Sequence, residues 1–454
     1  MKITRFLPII VLVLGMSACN NPAGQLVGAS IDGPMGDVAP LGMKFIRQGS
    51  FLMGANEQSV VFAQSDNNIK VSVNAFWMDE TEITNNEYRQ FVYWVRDSIA
   101  RSLLIDQQYD EFGRLNDTTK KYVINWAKPI PWIDRQNPNA QLDVTVLDSL
   151  FYDNGLGGLN ISKLRYNYSW SNTGAAIDRE KRFDVAKGVY PEGTMIEVDT
   201  FYIDANGLIK RETVKRRLRE PKDLLTNAII CIYPDTMVWA RDFDYSYNDP
   251  LLHGYFSMPS YAEYPVVGVT WEQAHAFCHW RTQLLRTEGK QLILPYRLPS
   301  EAEWEFAARG GLKAAMYPWG NKSTRDAKGC FLANFKPYRG SYHNDTGSTT
   351  MAVGGFEPND FGLFDMAGNV AEWTATSFSS KSNTNIHDMN PEYTYMAREN
   401  DPGVLKRKVV KGGSWKDISY YLQCGVRSYE YQYESRSYIG FRCVRSAMGK
   451  QYSK

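Results

Sequence analysis

Net charge is the first thing this sequence lacks. Its 51 lysines and arginines face 50 aspartates and glutamates, leaving +1, which argues against general nucleic-acid binding or membrane-surface adhesion by the folded part while leaving local patches open. Long apolar runs are missing too. After Leu14 nothing approaches the roughly 20 apolar residues that cross a bilayer, so the mature chain is expected to be soluble apart from any anchor. Histidine is scarce, limited to His253, His275, His279, His343 and His387. No His-Glu-x-x-His pattern occurs, and only His275 and His279, four apart on one helix, could share a face. A third ligand does not suggest itself, and a hydrogen-bonded helix surface is the plain reading beside metal binding. Cysteine is sparse as well, with six residues in all.

What is present at the start is an export pattern. Lys2 and Arg5 precede the apolar run from Phe6 to Leu14, and the small residues Ser17 and Ala18 lead into Cys19, as in a secretory signal peptide over residues 1–18. A cysteine directly after such a cleavage site resembles the lipobox of bacterial lipoproteins, which implies lipidation of Cys19. Ordinary secretion with Cys19 as a leftover thiol is the alternative. Asn20 in the next position favours, by that resemblance, the outer membrane. Residues 19–42, rich in Gly, Pro and Ala, suit a flexible tether. Five cysteines then remain, Cys231, Cys278, Cys330, Cys424 and Cys443, in a compartment that permits disulfides, and an odd number leaves one unpaired within a monomer.

The full sequence carries 28 Tyr, 21 Phe and 12 Trp, enough to bury a substantial core. Phe45 to Gly54 and Val71 to Trp77 read as strands. Thr84 with Glu87 forms a capping box for a helix burying Tyr88, Phe91, Val92 and Val95. From about Asp97 to Tyr261 the character changes to short apolar runs, turns such as Asp153-Asn-Gly155 and Ala205-Asn-Gly207, and a charged stretch from Lys210 to Glu220. There Lys215, Arg216, Arg217 and Arg219, with Tyr202 nearby, read as a solvated face, with an acidic partner surface or lipid headgroups next. A second helix follows Trp271 with Ala274, Phe277, Cys278 and Trp280 inward. Ser300 and Glu303 cap a third, stopped by Gly310-Gly311. Glu301, Glu303 and Glu305 invite an acid/base hypothesis, though capping and a solvated helix face account for them. Beyond, loops dominate and are expected to need cross-links or ions.

Seven runs in order carry a family resemblance: Gly49-Ser-Phe-Leu-Met-Gly54, Phe76-Trp-Met-Asp-Glu-Thr-Glu-Ile-Thr-Asn85, Arg297-Leu-Pro-Ser-Glu-Ala-Glu-Trp-Glu305, Tyr317-Pro-Trp-Gly320, Gly368-Asn-Val-Ala-Glu-Trp373, Lys411-Gly-Gly-Ser-Trp415 and Gly440-Phe-Arg-Cys443. They resemble the signatures of the formylglycine-generating (sulfatase-modifying) family. That implies an irregular α+β, C-type-lectin-related fold over residues 43–445, low in regular secondary structure, interrupted by an insertion at 97–261 and followed by a tail at 446–454. In the family's enzymes two cysteines beyond the Gly-Gly-Ser motif bind copper and oxidise a substrate cysteine. Here Asp417 stands at the first position, and Cys424, within Cys-Gly-Val-Arg-Ser428, aligns with a structural cysteine, so a non-catalytic member is expected. The resemblance further implies a Cys278–Cys443 disulfide, contributing on the order of 4 kcal/mol. Cys424's usual partner lies where this chain has Ala308, with Cys330 as the available replacement, and Cys231 reads as a buried free thiol. By resemblance Asp365 and Glu372, with the carbonyls of Gly368 and Val370, hold a structural calcium, a salt-bridged turn being the alternative. A second family site near Asn334 and Phe335 carries over poorly.

Asp79 to Phe91, Tyr233 to Tyr247 and Met258 to Pro265, with the lipid signal, are similar to the gliding-motility lipoproteins of the GldK (PorK) family. This implies an outer-membrane lipoprotein facing the periplasm, which joins a GldN/PorN-type protein and further copies of itself in the ring of the type IX secretion system. Its partner surfaces are expected in the insertion. An enzyme modifying exported proteins, the sister lipoprotein GldJ and a lectin-like ligand-binding module are the alternatives.

Overall fold

The structure is a computed structural model that describes residues 39–54, 68–116, 121–132, 145–152, 158–171, 181–184, 187–242, 250–288, 294–337, 346–380 and 387–447. The export segment, Cys19, the tether and the Asp153-Asn-Gly155 turn lie outside these residues. Residues 39–447 belong to one compact unit.

Two small sheets frame the body. In the first, β1 (Met43–Ile46), β4 (Phe76–Asp79), β16 (Val444–Ser446) and β11 (Tyr296–Arg297) pair antiparallel in that order. In the second, β14 (Ser428–Tyr431), β13 (Arg407–Lys411), β12 (Ala371–Ser377) and β15 (Ile439–Gly440) follow one another, with only β12 and β15 parallel. β12 is buried almost throughout, as a strand covered on both faces must be. The hairpin of β2 (Gly49–Met53) and β3 (Ile69–Val73) lies beside helix α3 (Glu301–Ala308).

The expected caps are present. Thr84 Oγ1 accepts from the Glu87 amide at 3.2 Å and Glu87 answers the Thr84 amide at 2.8 Å, starting α1 (Asn85–Asp106). Ser300 and Glu303 do the same for α3, and Thr270 with Gln273 for α2 (Trp271–Glu288). Each satisfies two amides that a helix start leaves open. The change of character at Asp97 does not end α1. Its last turns continue to Asp106 because Ala100, Leu104 and Ile105 bury against Phe112, Leu147 and Leu150.

The stretch 97–261 contributes three antiparallel pairs: β5 (Gly113–Asn116) with β6 (Lys121–Ile124), β7 (Arg165–Ser171) with β10 (Leu225–Cys231), and β8 (Met195–Ile203) with β9 (Ile209–Arg217). The Ala205-Asn-Gly207 turn closes the last of these. Gly207 has φ +75° and Asp204 Oδ1 accepts the amides of Asn206 and Leu208. Leu164, Tyr166, Tyr168, Ala228, Ile230 and Ile232 share one buried cluster with Tyr88, Phe91, Phe277 and Phe441, so this stretch completes the main core.

Among the described residues no helix or strand lies between α3 and β12, and buried asparagines hold that region. Asn359 donates to the carbonyls of Ala307 and Ala308 at the end of α3 and accepts from the amides of Phe361 and Leu363. Asn334 reaches the Thr349 carbonyl at 2.8 Å and accepts from the Gly347 amide. Side-chain amides here carry out the task expected of cross-links or ions.

Candidate functional site

The strand β13 ends in Gly412 and Gly413, at φ +91° and +66°. A Cβ on Gly413 would stand 2.9 Å from the backbone of Tyr421, so the turn requires glycine. It delivers Ser414, fully buried, whose hydroxyl donates to Asp417 Oδ2 at 2.6 Å. Burial raises the Asp417 pKa, against the opposing hydrogen bonds of Ser414. Trp415 stacks on Trp239 at 6.2 Å and donates to the Ser437 carbonyl, while the Lys336 amide closes on the Asp417 carbonyl at 2.9 Å. A serine and a carboxylate are hard oxygen donors, poorly matched to copper(I), which favours thiolate. Cys424 offers no substitute. It is 0% exposed in a cluster with Ala308, Leu363 and Met366, and burial pushes its thiol up to about 12, so the thiolate is not populated near neutral pH.

Beside this turn lies the loop 365–372. Asp365 and Asn369 take left-handed φ of 55° and 59°, and Gly368 at φ +81° leaves no room for a Cβ, which would meet the Asn334 carbonyl oxygen at 2.4 Å. Glu372, 1% exposed, takes the Arg442 guanidinium side-on, Nη2 at 2.7 Å from Oε1 and Nε at 2.8 Å from Oε2, and also accepts from Trp304 Nε1 at 2.8 Å. Arg442 donates further to the carbonyls of Asp79, Glu80 and Phe364. A third carboxylate enters from β4's end. Glu82, 0% exposed, accepts from Asn369 Nδ2 and the Val370 amide. Burial first, then the charges of Asp365 and Glu372, push its pKa well up, and burial also raises Asp365, which is hydrogen-bonded to Glu82 and to the Gly354 amide at 2.6 Å. Three carboxylates share one guanidinium, and a proton held on Glu82 or Asp365 reduces the excess charge.

At the loop expected to hold calcium through Asp365, Gly368, Val370 and Glu372, the Glu372 carboxylate is engaged by Arg442. Both oxygens of Glu372 accept from Arg442, and one also from Trp304, so the ion pair of the alternative reading is present at this loop. Among the described residues no group of three or more His, Cys, Asp or Glu is placed to hold a metal.

The carboxylates of α3 do not form a solvated face: Glu301, Glu303 and Glu305 are 4%, 9% and 1% exposed. Glu305 meets Arg309 at 2.7 Å and Lys411 at 3.2 Å, Glu301 meets Arg427 at 2.9 Å, and Glu303 meets Arg297 at 2.6 Å. Burial works to raise Glu303 and Glu305, but Arg297 in one case and Lys411 with Arg309 in the other win and lower them. Glu303 and Glu305 are thus held as anions within ion pairs, which does not suit proton transfer.

His275 and His279 are half-buried on α2. Their rings lie 4.7 Å apart under the aromatic face of β7, with Tyr168 Oη 3.2 Å from His275 Nδ1. Burial lowers His275 well below its ordinary value and His279 to about 4.

Every described cysteine is a thiol. Cys278 and Cys443 are brought together, both fully buried with Sγ atoms 3.4 Å apart. Cys330 is exposed while Cys424 is buried beside Ala308, so the alternative Cys330–Cys424 pair is not formed. Cys231 is half-buried, its thiol donating to the Ile161 carbonyl. Within the basic cluster Lys215 pairs with Glu197 and Arg217 with Glu192, while Arg216 donates to the carbonyls of Asp223 and Leu225.

Glu82, Arg442 and Lys408 escaped the sequence reading. The first two lie inside quoted motifs, and their burial was the missing signal.

Residues 37–145 and 230–447 match the Sulfatase-modifying factor enzyme 1-like domain, and the unmatched gap falls inside the insertion. An "Inactive C-alpha-formylglycine-generating enzyme 2" of Bos taurus is 35% identical over 191 residues, 41% of this chain and 51% of that protein. A "Formylglycine-generating enzyme" of Mus musculus is 36% identical over 191 residues, 40% of this chain and 44% of that protein. The chain thus spans about half the length of these curated relatives. The structure of PvdO from Pseudomonas aeruginosa superposes with a TM-score of 0.43 at 16% identity, covering 89% of this chain and 94% of that one. With its two matched blocks taking in most of its length, the chain belongs to the family of the sulfatase-modifying factor enzyme 1-like domain.

Proposed function

We propose that the protein is a non-catalytic member of its family, a structural subunit held at the outer membrane by lipid on Cys19. In this reading it builds, with a GldN/PorN-type partner and further copies of itself, the periplasmic ring of a type IX secretion and gliding machinery. The observation that carries the non-catalytic part is the turn after Gly413. Asp417 takes the place of the first redox cysteine and is tied to Ser414, and Cys424 is a sealed, protonated thiol. Relatives named as active and as inactive both occur at similar identity, so membership alone does not choose between them. The ring assignment rests on the gliding-lipoprotein resemblance of Asp79 to Phe91, Tyr233 to Tyr247 and Met258 to Pro265. In an oxidising compartment, Cys278 and Cys443 are the pair proposed to cross-link.

Two measurements test this. Blue-native electrophoresis of gently solubilised membranes should show the chain in a megadalton species. Copper-loaded protein should leave the cysteine of a sulfatase peptide unmodified. A monomer that converts the peptide would establish the enzymatic alternative.

A further inference from the structure

A cavity of about 380 Å³ opens between the loop carrying Trp319 and Phe331 and the segment from Gly354 to Pro358, and it meets the carboxylate cluster described above only through Gly354 and Phe364. Its walls are aromatic, with Trp319, Phe331, Phe356 and Phe364, and its charged lining consists of Asp326 and Glu357. Among the described residues no lysine, arginine or histidine lines it. Lys322, Arg325 and Lys328 occupy the same loop as Asp326 but are not among the lining residues.

The walls are held in place before any ligand arrives. Trp319 stacks on Tyr317 at 5.0 Å and donates its indole N–H to the Ser323 carbonyl at 2.8 Å. Phe331 packs edge-on against Phe335 at 5.3 Å. Asp326 is fixed by accepting the amides of Lys328 and Cys330 through Oδ1, while Glu357 is exposed. On the far wall, the Gly354 amide is tied to buried Asp365, and Gly354 sits at φ +72° with its absent Cβ 3.8 Å from the Phe364 ring.

Aromatic faces carry negative potential and attract cations, and carboxylates at the same site add charge of the same sign. The protein already uses this attraction next door, where the Arg325 guanidinium carbon stands 3.6 Å from the Phe331 ring centroid. The volume lies near the lower end of the range for small-ligand pockets, roughly 300–1,000 Å³, which suits a group the size of one amino-acid side chain.

We propose that this cavity binds an organic cation, a guanidinium or alkylammonium head carried on an apolar stem. The stem contacts the rings, and the head is placed between aromatic faces and the Asp326 and Glu357 carboxylates. Such a head comes either from an Arg or Lys side chain of another protein or from a free amine.

Ligand-observed NMR titration of the full chain tests this with three probes: N-acetylarginine amide, tetramethylammonium, and N-acetylcitrulline amide as the neutral near-isostere of the first. The expected result is saturable binding of both cations, with the citrulline compound weaker by about fivefold or more, and weakening of the cations as salt rises. Glu357→Gln, at an exposed position, should weaken cation binding by about threefold with an unchanged circular dichroism spectrum. Phe356→Ala should weaken both cations too. Should a variant fail to fold, the charged and neutral probes on the unaltered chain decide the matter alone. Equal binding of citrulline and arginine compounds, absence of saturation by both cations, or an unchanged affinity in a folded Glu357→Gln variant would each overturn the proposal. A short arginine-containing peptide separates the sources: tighter binding than N-acetylarginine amide identifies a partner's side chain, and equal binding a free cation.

Discussion

Lys408 places an amine in the protein's interior. It is 0% exposed, its Nζ 2.8 Å from the Tyr395 carbonyl, 3.2 Å from Ser377 Oγ and 4.0 Å from the Trp271 ring centroid. Burial lowers its pKa to about 7, the charge of Glu272 opposing. An unfolded lysine titrates near about 10.4, so between those values the unfolded chain binds a proton that the folded chain refuses, and stability from this group rises with pH. Lys408→Met should therefore stabilise the protein at pH 7, by about 2 kcal/mol once the lost hydrogen bonds are set against the gain, and the advantage should shrink towards pH 10. Urea unfolding at the two pH values checks this. Glu82 works in the opposite direction. Its folded pKa is raised, so its contribution is fully present below the unfolded carboxylate range and is lost as pH rises through the folded value. Glu82→Gln mimics the protonated form and should flatten the fall in melting temperature between pH 5 and pH 8. A calorimetric slope equal to that of the unaltered chain would count against the shared proton.

At the scale of the element, Arg211 ties the β8–β9 hairpin to two other parts of the fold. Arg211 on β9 joins Asp199 of β8 at 2.5 Å, Glu272 of α2 at 2.7 Å and the Ala397 carbonyl at 2.6 Å. Arg398 adds a second tie, to Glu197 and Asp401. Arg211→Met leaves two largely buried carboxylates without their cation and is expected to cost about 3 kcal/mol. Hydrogen exchange should quicken in β8 and β9 while β12 and β13 keep their protection, and uniform exchange would mean that the hairpin is not a separable unit. The helix starts were legible in sequence because a capping box is complete within four residues. The end of α1 was not, since Ala100, Leu104 and Ile105 find their partners in Phe112, Leu147 and Leu150, residues with no local relation to the helix.

For the whole molecule, the insertion and the body share one core, so the stretch 97–261 is expected to be needed for folding. Its removal would strip Tyr166, Tyr168, Ile230 and Ile232 from the cluster around Phe91 and Phe277 and expose large apolar surface. Such a variant should be insoluble or molten by near-ultraviolet circular dichroism, and a cooperative thermal transition would refute the shared core. Since Glu372 is neutralised by Arg442, chelator should leave the melting temperature of the purified protein within about 1 °C, because only a ligand bound to the native state shifts it. A marked fall would restore calcium to the loop 365–372. What the sequence determined by itself was local: the capping boxes, the Ala205-Asn-Gly207 turn and the individual family motifs. Each is decided by neighbours a few residues apart. Only the tertiary structure decided which charges are buried and what satisfies them. The Arg442 side chain meets the Asp79 carbonyl across 363 positions, Lys411 meets Glu305 across 106, and Glu82 meets Asn369 across 287. The strength of such contacts depends on the exclusion of water, which no pattern of neighbouring residues records.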